Sequence, residues 1–308
     1  MKYVVTGGAG FIGSYIARLL VKLGHSVDII DNLHVGKKEN LETILDKINL
    51  HQIDIRNKQK MTEVLSGCDG IFHEAALTSV PESFEIPQEY FDVNVRGTEN
   101  ICKIAKDENL RVVFASSSSV YGEVDKIPIR ENVEKKPISP YGKTKLDCEN
   151  LAKKYADNGL EVLGLRYFNV YGKGQTSTYA GVITKFLEKI ELNEPFRING
   201  DGNQIRDFIH VEDVAQANIA AMESKIKNGF FNIGTGIGTS INDLALLMME
   251  ISGHKKDPMY VDSLDGDIKL SQSETSLTRK YLNWSFRIKL DEGLKELIKD
   301  RNSNQTIV

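Results

Sequence analysis

Thr6-Gly7-Gly8-Ala9-Gly10-Phe11-Ile12-Gly13 lies between the apolar run Tyr3-Val4-Val5 and a helical pattern that continues to Leu23. Strand, glycine turn and helix in that order predict the first half of a nucleotide-binding βαβ unit. Gly7 permits a tight turn, Gly10 lets backbone approach a pyrophosphate, and Gly13 lets helix and strand pack closely, with Phe11 and Ile12 beside them. The phosphates then meet a helix N-terminus, whose free N–H groups and dipole favour anions. The next apolar run, Val27 to Ile30, ends in Asp31-Asn32. The Asp31 carboxylate is placed to accept hydrogen bonds from an adenosine ribose and repels a 2'-phosphate. NAD is therefore expected rather than NADP, with Lys37 and Lys38 the nearest cations along the chain.

Outward from this unit, short β-rich runs alternate with helical patterns. Asn49 to Ile55, Gly70 to Ala75, Arg111 to Ser116 and Glu161 to Tyr167 read as strands, and Gln88 to Asp107 and Tyr141 to Asn158 as two long helices. Such alternation predicts an α/β chain with a Rossmann-like, doubly wound parallel sheet. The apolar faces of the two helices are wider than one sheet contact needs, which suggests a homodimer. After Tyr167 the elements become shorter and less regular, so a smaller C-terminal α/β substrate lobe is expected. The sheet domain should span residues 1–168, with 207–233 returning to it as helix and strand, and the second lobe 169–206 and 234–308. The polar tail after Asp300 is expected to fray.

Composition excludes more than it selects. The chain has 308 residues and a net charge of −4, with the two signs mixed and no basic stripe, which argues against nucleic acid or an anionic membrane as partner. Three widely spaced cysteines suggest neither disulfides nor a zinc site, and no metal is expected. With strand one beginning near Met1 and no membrane-length apolar run, the reading is a cytoplasmic protein.

The chemistry is concentrated in Ser139-Pro140-Tyr141-Gly142-Lys143-Thr144-Lys145. Positions i and i+4 share a helix face, so the Lys145 ammonium can favour the phenolate of Tyr141 and make it a base. On its own this spacing would mean two solvated side chains. Behind an intact dinucleotide loop, it means dehydrogenase chemistry.

Eight stretches in order resemble the extended short-chain dehydrogenase/reductase family, in particular its nucleotide-sugar 4-epimerase branch, to about residue 300. They are Gly7 to Gly13, Asp54-Ile55, His73-Glu74-Ala75-Ala76, Asn94 to Thr98, Ser116 to Gly122, Tyr141 with Lys145, Arg166 to Asn169, and Arg206 to Asp213. The resemblance implies that Asp54 and Ile55 hold the adenine and that Ala75, Ala76 and Asn94 line the cofactor path. It makes Lys145 a partner of the nicotinamide ribose and Ser117 the third catalytic group, with Ser118 beside it toward substrate. The related dehydratases have Asp-Glu where this chain has Ser118-Ser119; lacking an acid to expel water, it should oxidise the sugar at C4 and reduce it again. Asn169 and Arg206 are implied as holders of a UDP-sugar diphosphate.

Two positions depart from, or specialise, that pattern. The family's second diphosphate arginine, three residues before the Asp of a Gly-Asp pair, corresponds to Leu264 when Gly266-Asp267 is the anchor. Four residues after that Asp, at a gate beside the sugar 2-substituent, this chain has Ser271, small enough to admit an acetamido group. UDP-glucose/UDP-galactose and UDP-N-acetylglucosamine/UDP-N-acetylgalactosamine are the expected pairs. A UDP-uronate 4-epimerase and a non-catalytic NAD-binding scaffold are the alternatives. His73 and His210 are expected to be structural, and Trp284, after Asn283 in a positive-φ turn, to pack the small lobe.

Overall fold

The computed structural model describes residues 1–175, 181–263 and 268–305. Seven parallel strands form the main sheet: β1 (Lys2–Thr6), β2 (Ser26–Asp31), β3 (Ile48–Gln52), β4 (Gly70–His73), β5 (Arg111–Ser117), β6 (Val162–Tyr167) and β11 (Asn228–Ile233). Their order is β11-β6-β5-β4-β1-β2-β3, so the chain leaves β1 toward one edge and, after β3, crosses back to continue toward the other. Ligands of open α/β sheets bind at such a reversal, outside the carboxyl ends of the strands.

Alternation along the strands divides the core. Val5 and Ile29 face one side with α1 (Phe11–Lys22) and α8 (Val211–Glu223). Val4 and Ile30 face the other with α2 (Lys58–Leu65), α5 (Gly97–Asp107) and α6 (Pro140–Ala156). Both faces are covered, which explains why these strands read as nearly continuous apolar runs. The β11 strand, expected as a return to the sheet, pairs with β6 from Asn228 opposite Val162 to Ile233 opposite Tyr167.

The long helix expected over Gln88 to Asp107 is interrupted. After α4 (Pro87–Tyr90), residues Phe91–Arg96 form a π-helical segment that leads into α5. Within it, the Asn94 carbonyl accepts from the Thr98 hydroxyl at 2.6 Å and the Cys148 thiol at 3.2 Å, besides the Gly97 N–H. Gly97 then lies against Ile55, where a Cβ would stand 2.4 Å from the Ile55 Cδ1. Such π turns occur mostly as single insertions at functional sites.

The remaining strands form small sheets. β7 (Asn169–Tyr171) pairs with β10 (Phe208–His210), β8 (Arg197–Asn199) with β13 (Met259–Val261), and β9 (Ile205–Arg206) lies between β12 (Thr239–Ser240) and β14 (Leu270–Ser271). A separate core joins Phe186, Phe196, Leu244 and Leu294. Two expectations need correction. The final helix Leu290–Gln305 continues past Asp300, where fraying was expected, and Arg301 pairs with Glu191 at 2.9 Å; the rest of that tail, 306–308, lies outside the described residues. Trp284 packs into the cluster of α1 and α8 rather than into the core of the smaller lobe. Asn283 has φ +50°, the left-handed turn expected of it.

Candidate active site

A cleft of about 790 Å³ runs along the carboxyl edge of the sheet, within the size range of small-molecule sites. Gly7, Gly10, Phe11, Ile12 and Gly13 line one stretch of it. Here the glycines are sterically required. Gly7 has φ +67°, and a Cβ on it would lie 2.7 Å from the Ala75 nitrogen; one on Gly13 would lie 2.2 Å from the Gly7 carbonyl oxygen. Backbone therefore packs on backbone with no side chain at these positions to fill the groove, and this cradle at the start of α1 fits a dinucleotide pyrophosphate. Gly13→Ala is expected to displace the loop, and the purified variant should release little or no dinucleotide on denaturation.

Asp31 and Asn32 border the next stretch of the cleft. The Asp31 carboxylate accepts from the Ala9 N–H at 3.0 Å and the Leu33 N–H at 2.8 Å. It thus holds the glycine loop as well as facing the cleft. Burial raises its pKa, and the two backbone donors oppose that rise. Asp54 and Ile55 form the next part of the wall. Arg56 grips Asp54 with Nε at 2.9 Å and Nη2 at 2.8 Å, while Asn32 donates to it at 3.3 Å; the Arg56 bonds hold the Asp54 carboxyl below the usual range.

Across the switch point, Ser117, Tyr141 and Lys145 border the other end of the same cleft, with Ala75 and Ala76 between. Ser139 caps α6 by accepting from the Gly142 N–H at 3.0 Å, and Pro140 fits the first turn, which fixes where Tyr141 emerges. The Lys145 Nζ lies 5.9 Å from the Tyr141 ring centroid and donates to the Ala115 carbonyl at 2.9 Å, so strand β5 anchors the cation. Ser117 Oγ accepts from the Ser119 N–H at 3.2 Å and the Ser119 hydroxyl at 2.9 Å. Its own hydroxyl proton stays available for donation. Ser119 thus supports Ser117.

Several expected site residues lie elsewhere. Asn94 is behind the groove and not in it: its amide donates to the Leu77 carbonyl at 3.0 Å and Thr144 Oγ1 at 3.0 Å, and accepts from the Leu77 N–H at 2.8 Å. Its buried amide clamps the Leu77 loop to α6. Ser118 sits in the 3₁₀ turn Ser118–Val120, outside the cleft wall. From the smaller lobe, Asn169 borders the cleft, whereas Arg206 and Ser271 are register partners on β9 and β14 beyond its wall. The neighbouring Asp207 accepts from Thr235, Gly236 and Ser273, so it is occupied by the Gly234–Gly236 turn. Leu264 and the Gly266-Asp267 anchor lie outside the described residues. His73 bridges Thr6 at 2.7 Å and Thr98 at 3.0 Å, and burial lowers its pKa to about 3, so it is neutral. His210 caps α8. Among the described residues, no cluster of His, Cys, Asp and Glu could hold a metal, and no helix is long and apolar enough to cross a membrane.

Two features escaped the sequence. Glu74, between the recognised His73 and Ala75, lines the cleft, and its carboxylate accepts from the Tyr167 hydroxyl at 3.1 Å. Behind Ser117, the buried Arg166 guanidinium makes a two-pronged pair with Glu149 at 2.8 and 2.7 Å. The Ser116 hydroxyl donates to the same carboxylate at 2.6 Å, and Arg166 also donates to Tyr121 at 2.9 Å. The spacing of Lys145 and Glu149, one turn apart on the same helix, was the available signal.

Comparison with known proteins agrees with this architecture. Residues 3–234 match the model of the NAD dependent epimerase/dehydratase family. A putative UDP-glucose 4-epimerase of Methanocaldococcus jannaschii is 38% identical over 98% of this chain and 99% of its own length. A UDP-glucose 4-epimerase crystal structure with UDP-glucose, from Thermotoga maritima, superposes with a TM-score of 0.95 at 35% identity, covering 99% of this chain and 100% of that one. A UDP-N-acetylglucosamine 4-epimerase from Methanobrevibacter ruminantium M1, in complex with UDP-N-acetylmuramic acid, gives 0.94 at 37% identity, covering 98% of each chain.

Proposed function

The chain belongs to the NAD dependent epimerase/dehydratase family, and we propose that it is an NAD-dependent 4-epimerase interconverting UDP-glucose and UDP-galactose and, through the small gate at Ser271, their N-acetyl counterparts. The observation that carries this reading is that Ser117, Tyr141 and Lys145 border the same cleft as the glycine cradle. Gly7 to Gly13 hold the pyrophosphate of NAD, Asp31 and Asn32 the adenosine ribose, and Asp54 and Ile55 the adenine. NAD, when bound, supplies reversible hydride acceptance at the sugar C4.

Tyr141 takes the proton of the C4 hydroxyl beside Ser117 and returns it at the end of the cycle. Lys145, held by the Ala115 carbonyl, places a positive charge that favours the tyrosine anion. Ser117 keeps its own proton to donate to the C4 oxygen, since its acceptor sites are used by Ser119. Asn169 on the cleft wall and the Arg206 guanidinium, which would have to turn inward from β9 beyond that wall, hold the diphosphate, about which the keto sugar turns to present its other face. No acid stands at Ser118 or Ser119 to expel water, which favours epimerisation over elimination. In this reading residues 1–168 with 207–233 bind NAD, and 169–206 with 234–308 bind the sugar nucleotide.

The test is incubation with UDP-glucose and, separately, UDP-N-acetylglucosamine, without added cofactor, followed by proton NMR. The 4-epimer is expected from both. Product from glucose alone would remove the role given to Ser271, and none from either, even with NAD added, would replace this reading with the uronate or scaffold alternative. The reading includes a cytoplasmic homodimer. Phe84, Ile86 and Phe91, exposed by 53, 43 and 37%, lie around α4 and the π segment as the apolar contribution to its interface. Sedimentation velocity should give twice the chain mass, with the monomer mass overturning the dimer.

A further inference from the structure

Glu74 is a costly residue where it stands. It follows β4 as part of the cleft wall, with its side chain reaching past the end of β5 to Tyr167 on β6. The Tyr167 hydroxyl also meets Asn218 of α8, which donates to it at 2.8 Å and is itself fixed by donating to the Val214 carbonyl at 2.9 Å. A carboxylate, a phenol and an amide thus form a chain at the cleft wall, close enough to Lys145 for its charge to act on Glu74. With the pyrophosphate at Gly7–Gly13 and the adenosine at Asp31, the Lys145 end of the cleft receives the nicotinamide. No step assigned to Ser117, Tyr141 or Lys145 uses Glu74, and an apolar side chain would fill the position without desolvating a charge.

We propose that Glu74 is a positioning residue that poises the cofactor: its carboxylate faces the nicotinamide end of the cleft and, when ionised, favours oxidised over reduced dinucleotide. The physical basis is that the oxidised ring bears a positive charge and the reduced ring none. A fixed anion in a partly desolvated wall therefore lowers the energy of one form only. Lys145 has the opposite effect. A 4-epimerase must pass a hydride both ways, so neither cofactor state can be strongly favoured, and the Glu74 anion offsets the lysine cation.

The groups acting on Glu74 are Lys145 from α6, Tyr167 from β6 and, one residue back on β4, the neutral His73. Burial pushes the Glu74 carboxyl up to about 7, with the Tyr167 hydrogen bond and Lys145 pulling against it. The sign follows from linkage. Oxidised cofactor prefers the anion, so its affinity rises with pH up to about 7 and levels off above, whereas the affinity of reduced cofactor lacks this contribution.

The experiment rests on the NAD site but not on the sugar substrate. Purified wild type and Glu74→Gln are equilibrated with mixtures of NAD⁺ and NADH across pH, and bound NADH is read by its fluorescence. Glutamine keeps an acceptor for Tyr167 and removes only the charge. Above about pH 7 the wild type should prefer NAD⁺ roughly tenfold more than the variant does, and below it the two should converge. Tyr167→Phe, which withdraws the hydroxyl donor, should move the wild-type midpoint to higher pH. A purely structural Glu74 would weaken both dinucleotides equally in Glu74→Gln and leave the ratio unchanged; that result, or an unmoved midpoint in Tyr167→Phe, would overturn the proposal. If neither dinucleotide bound the wild type, the cofactor site itself would fall and this inference with it.

Discussion

Tyr141→Phe is expected to lower kcat for 4-epimerisation by roughly 10²–10⁴-fold, the range for removal of a positioned acid or base, while leaving NAD and UDP-sugar binding close to wild type. The phenyl ring preserves the edge-on contact with Tyr90, whose ring centroid is 6.5 Å away, and the first turn of α6 is set by Ser139 and Pro140 rather than by the hydroxyl. The lost group is therefore the proton carrier alone. Lys145 stays anchored to the Ala115 carbonyl, and Ser117 stays bonded to Ser119. Because the missing interaction belongs to the transition state, kcat and kcat/KM should fall together. Steady-state kinetics alongside calorimetric titration with UDP-glucose checks both halves. Turnover within a few-fold of wild type would give the proton to another group and remove Tyr141 from the mechanism. Equal losses in turnover and in NAD binding would instead make it a cofactor-binding residue.

The largest stability effect is expected from Glu149→Ala. Arg166 and Glu149 are both almost fully buried, with side-chain exposures of 3 and 4%, so removing the carboxylate leaves a guanidinium without its counter-charge. Breaking such a pair from one side costs about 3–5 kcal/mol, and here the Ser116 hydroxyl loses its acceptor as well. Chemical denaturation should show a midpoint shift of that size. The double variant Glu149→Leu with Arg166→Met removes both charges and should recover part of the loss, since the penalty comes from the unpaired cation more than from the missing attraction. A single variant that unfolds like wild type would mean that solvent reaches Arg166 and that the network does not hold β5, β6 and α6 together. The consequence for function is direct: Ser116 precedes Ser117, and Glu149 lies one turn beyond Lys145 on α6.

Local chemistry made much of this protein legible. The positive φ of Gly7 and the close approach of Gly13 to Gly7 are limits that act within a few residues, so the strand, turn and helix could be read directly. Apolar runs separated by helical patterns gave the parallel sheet, because strands covered on both faces need apolar residues at every position. The i, i+4 spacing of Tyr141 and Lys145 survived because a helix fixes it. Long-range packing decided the rest. The Gln88–Asp107 helix contains a π turn because Asn94 and Thr98 bond to partners on other elements, which helical periodicity does not encode. Asn94 was spent as a clamp rather than left in the groove, and Arg206 and Ser271 became neighbours only through the pairing of β9 with β14. Glu74 and the Glu149–Arg166 pair show the reason most plainly. Their behaviour is set by burial and by groups far along the chain, Tyr167 and Ser116 among them, and a residue's desolvation exists only once the fold has closed around it.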